Sequence, residues 1–118
     1  MPVAHPYFEE VLVDAALRRR WERAQAVRPE DIRLDMRTGR FWCQSKSTAE
    51  LLGYNGFVKF DENDQLVEAW CGCKDFHNHD MPVKPKLHDV EVCYHILCAG
   101  KWWVVLASQM GMLRRRRV

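Results

Sequence analysis

The sequence contains neither a long apolar run nor an export signal. Its longest uninterrupted apolar stretch, Trp102–Ala107, has six residues, whereas a membrane-spanning helix needs about twenty. The opening segment, Met1–Glu10, does not show the basic residues followed by apolar residues that direct secretion. These absences lead us to expect a soluble protein that stays inside the cell, in the cytoplasm or in the nucleoid or nucleus.

A strong charge imbalance is also missing. Eighteen basic residues against sixteen acidic ones give a formal net charge of +2, which by itself does not indicate a polyanionic partner. The hydrophobic fraction of 47% is that of a globular protein rather than a disordered one. Because 118 residues are enough to bury one core but not two, we expect a single domain.

Apolar residues recur at helical spacing near both ends of the chain. The first such segment covers residues 6–28 and is stopped by Pro29. The second covers Cys93–Leu113. Gly100 lies inside it and costs about 1 kcal/mol relative to alanine, which indicates close packing there.

Between the two predicted helices, the apolar pattern changes to a period of two, which is typical of strands. A turn at Thr38-Gly39 joins the first two strands. Gly53 and Gly56 are interpreted as breakers before a second pair of strands. The predicted elements are a strand after Asp31, then Phe41–Ser45, Phe57–Phe60 and Leu66–Trp70, followed by a loop over residues 74–92.

Four potential metal ligands flank this loop. Cys71 and Cys73 end the fourth strand, and Cys93 and His95 open the last helix. Two such ligands separated by one residue can reach the same ion, and three cysteines with one histidine form a common structural zinc set. Five cysteines without an export signal are poorly explained by disulfides. The alternative is that they are buried free cysteines beside a core histidine.

This motif resembles that of the SWIM-type zinc finger, which is Cys-x-Cys, a spacer, then Cys-x-His. Cys73-Lys74-Asp75-Phe76 is similar to the family's Cys-Pro-Asp-Phe, and Cys93–Leu97 is similar to Cys-Lys-His-Ile-Leu. The resemblance covers roughly residues 41–107 and implies one structural zinc ion and binding to DNA or protein. Tyr94 stands where the family often has a basic residue. The family usually accompanies larger proteins, so this chain looks like a small stand-alone member.

The expected fold class is α+β, with an N-terminal helix, an antiparallel sheet of about four strands and a zinc site that joins the sheet to a C-terminal helix. Within the single domain 1–118, residues 1–40 hold the first helix and strand. Residues 41–113 form the zinc-binding region, and residues 114–118 are a basic tail.

The remaining cysteines and histidines are expected to lie outside this site. Cys43 and Cys98 are interpreted as small apolar core residues. His77, His79 and His88 could form a second metal site. The favoured interpretation is that they are polar residues of a loop without a metal.

The tryptophans divide into two groups. Three of them fit patterns that suit a core, namely Trp21, Trp42 and Trp70. Adjacent Trp102 and Trp103 cannot both face the same way on a helix, so we expect one of them to be exposed. An exposed ring beside Lys101 could stack on a base or anchor a protein, although capping of the core is favoured.

Positive charge is concentrated at two places in the sequence. One is the first helix, where pairs of Arg18 with Asp14 and with Glu22 favour a solvated face. Its arginines are Arg18, Arg19, Arg20 and Arg23. The other is the basic tail, which has no acidic neighbour in sequence and consists of Arg114, Arg115, Arg116 and Arg117, followed by Val118. Clustered arginines of this kind attract phosphates.

The hypothesis from the sequence is a non-enzymatic zinc-binding module that contacts nucleic acid, with DNA as the expected kind. The expected contact residues are Lys101, Trp102, Arg114, Arg115, Arg116 and Arg117. The alternative is an adaptor that docks on a larger DNA-processing or transcription complex through one of the adjacent tryptophans and the loop 74–92. Four protein ligands leave zinc no open position for catalysis. A thiol enzyme that uses Cys93 is the third possibility.

Overall fold

The computed structural model describes residues 15–44, 53–62, 65–74, 76–77 and 85–110. Its elements form the expected α+β fold, in which a four-stranded sheet lies between two helices in chain order. They are α1 (Ala15–Gln25), a 3-10 turn (Pro29–Asp31), β1 (Ile32–Leu34), β2 (Arg40–Gln44), β3 (Gly53–Phe60), β4 (Leu66–Cys71), β5 (Lys86–Leu87), β6 (Val90–Glu91) and α2 (Tyr94–Gln109).

The main sheet is antiparallel with strand order β1-β2-β3-β4. Successive side chains of each strand point to opposite faces, and one of these faces packs against the core. We call the buried side the inner face and the solvent side the outer face. The inner face carries Ile32, Phe41, Cys43, Val58, Leu66 and Cys71, all buried.

Helix α2 packs against the inner face and is buried along most of its first half. His95 through Gly100 are all buried, and so are Val104 and Ala107 in the second half. Helix α1 packs against α2, with Leu17 and Ala24 buried. Cys43 and Cys98 are fully buried, which confirms them as core residues.

The described part of α1 ends at Gln25, before Pro29. Residues 6–14 of the predicted first helix lie outside the described residues. Helix α2 ends at Gln109 rather than Leu113, with Met110 at its C-cap. Residues 111–118 lie outside the described residues.

The prediction that Gly53 and Gly56 interrupt the regular structure before a strand is wrong, because both lie within β3. A Cβ added at Gly53 would overlap the Trp42 ring. At Gly56 an added Cβ would overlap the Trp70 carbonyl oxygen and would lie 2.5 Å from the Phe41 ring. These glycines let aromatic rings from a neighbouring strand lie directly on the backbone.

The prediction of a loop over residues 74–92 is wrong at its end, where β5 and β6 pair as a hairpin. Its two central residues, His88 and Asp89, have φ of 52° and 65°. This type I′ geometry matches the twist of the strands but is usually supplied by Asn-Gly. The hairpin is tied to the main sheet because the Leu66 backbone N–H donates to His88 Nδ1 at 3.3 Å.

Several interpretations of the tryptophans are also corrected. Trp42 and Trp70, assigned to the core from their patterns, lie on the outer face, where Trp70 is 42% exposed. Trp102 and Trp103, one of which was expected to be exposed, are both partly buried. The Trp103 ring stacks on Phe60 with centroids 4.3 Å apart, so this pair covers the edge of the core.

No helix within the described residues is long and apolar enough to cross a membrane.

We expect Gly56→Ala to destabilise the protein by about 1–3 kcal/mol, the usual cost of forcing a group into a filled interior. Gly72→Ala is the matched control, because an added Cβ there has no neighbour closer than 3.5 Å. Urea unfolding of both variants with metal in excess measures the difference. Equal free energies of unfolding for the two variants would contradict the packing described at Gly56.

Candidate metal centre

The four predicted ligands converge where the end of β4 meets the start of α2. Cys71 is the last residue of β4 and pairs with Gly56 of β3. Gly72 extends this pairing by one bond, donating its N–H to the Asn55 carbonyl at 3.0 Å, and Cys73 follows. Hydrogen bonds of the sheet therefore fix the first ligand pair.

The second pair stands at the N-terminus of α2. Cys93 is the N-cap residue with extended φ and ψ of −120° and 177°, and its side chain does not cap the helix. His95 lies in the first helical turn and is 2% exposed. The positive end of the helix dipole stabilises a thiolate at such a position.

The ligand atoms of Cys71, Cys73, Cys93 and His95 all lie within 4.8 Å of one another, and all four residues are buried. Cys93 Sγ and His95 Nδ1 are 3.8 Å apart. With metal–sulfur bonds of about 2.3 Å, neighbouring sulfurs of a tetrahedral site lie about 3.8 Å apart. The cluster thus has the size and the ligand types to hold one metal ion.

Proton sharing among the three cysteines shows why a cation suits this cluster. Hydrogen bonds from the Cys71 and Cys93 thiols lower the pKa of Cys73, and the same contact with Cys73 raises the pKa of Cys71 to about 12. Burial raises the pKa of Cys93. The raised pKa values of Cys71 and Cys93 therefore disfavour ionisation of all three sulfurs without a cation. A divalent ion would allow all three sulfurs to ionise.

Contacts around the ligands hold them in place. The Phe76 backbone N–H donates to Cys73 Sγ at 3.4 Å. The His95 ring lies close to Tyr94 and Tyr54, with centroid distances of 3.9 and 5.1 Å. His95 Nε2 is buried without a hydrogen-bond partner among the described residues. A buried ring nitrogen normally has a partner. Beside a metal cluster, this partner can be the ion itself or a hydrogen-bonding group close to the ion.

Tyr94 occupies the position between the last two ligands. Burial raises its pKa to about 12, so its ring is neutral at pH 7. The Arg23 guanidinium of α1 lies over this ring, 5.8 Å from its centroid. Tyr94 thus links the two helices beside the metal cluster rather than presenting a charge.

The other predicted candidates lie outside the cluster. Cys43, Cys98, His77 and His88 do not belong to it. His77 is exposed and packs edge-on against Trp70 at 5.6 Å, and His88 shapes the β5–β6 turn. His79 lies outside the described residues.

Of the predicted contact residues, Lys101 and Trp102 lie in the described part of the chain, and they are neighbours. Lys101 Nζ donates to Gln25 Oε1 at 2.8 Å and lies 5.0 Å from the Trp102 ring centroid. Trp102 is partly buried, and its Nε1 is buried without a hydrogen-bond partner among described residues. The four tail residues of this prediction lie outside the described residues: Arg114, Arg115, Arg116 and Arg117.

The sequence analysis missed three contributors to the site's surroundings, namely Tyr54, the Phe76 backbone N–H and the exposed Trp70. Phe76 was noted only for its resemblance to a motif. No sequence pattern pointed to Tyr54, because its contact with His95 joins β3 to α2, which lie far apart in the sequence. Only the pairing of the strands reveals such neighbours.

The fold and the site together define the class of this protein. It is an α+β protein with a Cys3His cluster between its sheet and its C-terminal helix. Comparison with models of known protein families, with curated proteins and with solved structures finds no match for the chain.

We expect the purified chain to carry one metal ion, and alanine at Cys71, Cys73, Cys93 or His95 to abolish tight binding. Removing one partner leaves three ligands and exposes the ion to water. Metal content by mass spectrometry measures this effect. Chelation of the wild-type chain should also lower its midpoint of thermal unfolding, because an apparent binding free energy of about 10–16 kcal/mol is lost in small domains of this kind.

Cys43→Ala and Cys98→Ala are matched controls that remove a buried sulfur outside the cluster. Both should keep one ion per chain. A His95→Ala variant that retains the full metal content, or a Cys98→Ala variant that loses it, would show that the ligand set is different.

Proposed function

We propose that this protein is a non-enzymatic, SWIM-type zinc-binding module that binds nucleic acid, with DNA as the expected ligand. The zinc would be structural, and the binding would depend on arginines placed outside the metal cluster. The observation that carries the proposal is the pair of exposed arginines on α1, Arg18 and Arg19.

The donor set supports zinc as the ion. Three thiolates and one imidazole suit zinc, whereas carboxylate-rich sites suit magnesium or calcium. When bound, the ion would supply a crosslink between β4 and α2. Because Cys71, Cys73, Cys93 and His95 would fill a tetrahedral shell, no position would be left for a reacting water molecule. This filled shell is why we propose a binding protein rather than an enzyme.

The charge pattern of α1 supports a polyanionic partner. Arg18 and Arg19 are exposed, and within the described part of the chain the expected ion pair between Arg18 and Glu22 does not form. Asp14, the other expected partner, lies outside the described residues. Arg28, by contrast, is held by Asp31 at 3.0 Å and by Glu30 at 3.5 Å. Arginines without such carboxylate partners suit phosphates.

The tail adds to this pattern at the level of sequence. Arg114–Arg117 contributes four charges without an acidic neighbour. Phosphate contacts of this type give affinity without sequence preference and make it strongly dependent on salt.

The adaptor alternative has less support. Its expected anchor was an exposed tryptophan on α2, but Trp103 stacks on Phe60, and Trp102 is partly buried beside Lys101. Hot spots are enriched in Trp, Tyr and Arg side chains, and the two tryptophans of the expected anchor are partly buried. The adaptor function remains an outcome of the test below.

We expect binding of a labelled DNA duplex to weaken steeply with salt, with a log–log slope of about −0.9 for each phosphate neutralised. Replacing the four tail arginines, 114 to 117, by alanine should reduce that slope by up to about 3.6. Arg18→Ala with Arg19→Ala should reduce it by up to about 2. Fluorescence anisotropy at several salt concentrations measures both changes.

Lys86→Ala is the control, because it removes one exposed charge on β5, outside both arginine clusters. It should leave the slope nearly unchanged. Nucleic-acid binding that ignores salt and both sets of substitutions would refute the proposal. A stoichiometric protein partner that survives nuclease treatment and high salt would favour the adaptor.

A further inference from the structure

The outer face of the sheet carries aromatic and basic side chains instead of the polar residues usual on a solvated face. The register aligns Arg33 of β1 with Trp42 of β2 and Asn55 of β3 in one cross-strand row. A second row aligns Arg40 of β2 with Phe57 of β3 and Trp70 of β4. Both rows lie opposite the face that packs against α2. We call these six residues the outer patch.

The Trp42 ring lies flat against the sheet. It covers Gly53, where a side chain would overlap its atoms Cε2, Cζ2 and Nε1. The Arg33 guanidinium lies over this ring, 6.0 Å from its centroid. Beside this pair lies a shallow open groove of about 370 Å³, with Asp35, Arg40 and Asn55 in its lining. The groove therefore has an aromatic wall, two guanidinium groups and one carboxylate, that of Asp35.

Trp70 provides a second aromatic surface on the same face. It is 42% exposed, and its six-membered ring lies over Gly72, 3.5 Å from where a Cβ would stand. His77 packs against it in a T-shaped arrangement with ring centroids 5.6 Å apart. A tryptophan kept at a surface in this way is a typical stacking platform.

The charges of the outer face favour an anion. Arg33, Arg40 and Lys59 are exposed there. The acidic residues nearby are Glu68, which lies opposite Lys59 in the register, and Asp35. The Asp35 carboxylate accepts the Arg37 backbone N–H at 2.9 Å and so belongs to the β1–β2 turn. Neither row of the outer patch contains an acidic residue.

We infer that the outer patch binds single-stranded nucleic acid, with bases stacked on Trp42 and Trp70 and phosphates held by Arg33 and Arg40. This inference rests on the proposed function and names the form of nucleic acid and the surface that binds it. A duplex keeps its bases stacked on each other, so flat rings on a sheet can reach bases only in a single strand.

The spacing of the two rings suits such a strand. Trp42 and Trp70 lie two strands apart, about 10 Å across the sheet, and two residues out of register, about 7 Å along it. Two bases separated by one or two nucleotides span this distance. Arg40 lies two residues from Trp42 on β2 and in the row of Trp70, where it can contact the intervening backbone.

The test uses the full, metal-loaded chain and labelled homopolymers of about twelve nucleotides, oligo-deoxythymidine and oligo-uridine, beside a mixed-sequence duplex. We expect at least one single strand to bind about tenfold or more tightly than the duplex. Trp70→Ala should weaken binding to it by roughly 5- to 100-fold, the usual loss for one stacked base. Trp70→Phe should recover most of this loss, because it keeps an aromatic ring.

Two further variants separate the outer patch from general effects. Arg40→Ala should weaken single-strand binding and reduce its salt slope by about 0.7. Met110→Ala is the matched control, because it removes a large apolar side chain that is 61% exposed at the end of α2. It should bind as the wild type does. Thermal unfolding of the metal-loaded Trp70→Ala and Trp70→Phe variants should show that both are folded at the temperature of the binding measurement.

Several results would overturn the inference. If Trp70→Ala binds single strands as tightly as the wild type does, bases do not stack on Trp70 and the inference is wrong. The proposed function would then still be supported by the effects of the arginine substitutions. Equal affinity of the wild type for single strand and duplex would also contradict the inference but not the proposed function. Self-association that is lost in Trp70→Ala would assign the outer patch to a second copy of the chain. Absence of all nucleic-acid binding would sink both the inference and the proposed function.

Discussion

The structure depends on four side chains from two distant segments meeting at one point. Cys71 and Cys73 come from the end of β4, and Cys93 and His95 from the start of α2, yet their ligand atoms lie within 4.8 Å of one another. In a chain of 118 residues the apolar core is modest. A metal crosslink at the junction of sheet and helix would fix the angle at which α2 crosses the inner face.

The two faces of the sheet have different chemistry because of strand alternation. On β4, Cys71 points inward to the cluster and its neighbour Trp70 points outward to solvent. On β3, Tyr54 contacts His95 on the inside, while Asn55 lines the groove on the outside. Structural stabilisation and surface chemistry thus occupy opposite sides of a single layer of backbone.

Local patterns were sufficient to predict the four strands, the two helices and the grouping of the four ligands, because alternation, helical spacing and ligand spacing are properties of short segments. What could not be predicted depends on partners far away in sequence. The roles of Gly53 and Gly56 are set by rings on other strands. Trp70 fits a buried pattern, but no described element covers its face. The β5–β6 turn uses His88 and Asp89 at positive φ without the usual Asn-Gly signal.

The single peptide bond between Trp70 and Cys71 also limits how this strand can change in evolution. Sliding β4 by one position would turn the sulfur toward water and the indole toward the core. An insertion or deletion between Leu66 and Cys71 has the same effect unless a bulge absorbs it, and β3 and β4 already shift register beside Lys59 and Phe60. Insertions and deletions in homologous chains should therefore be confined to the turns. The spacing between the outward-facing Trp70 and the first cysteine ligand, Cys71, should stay constant.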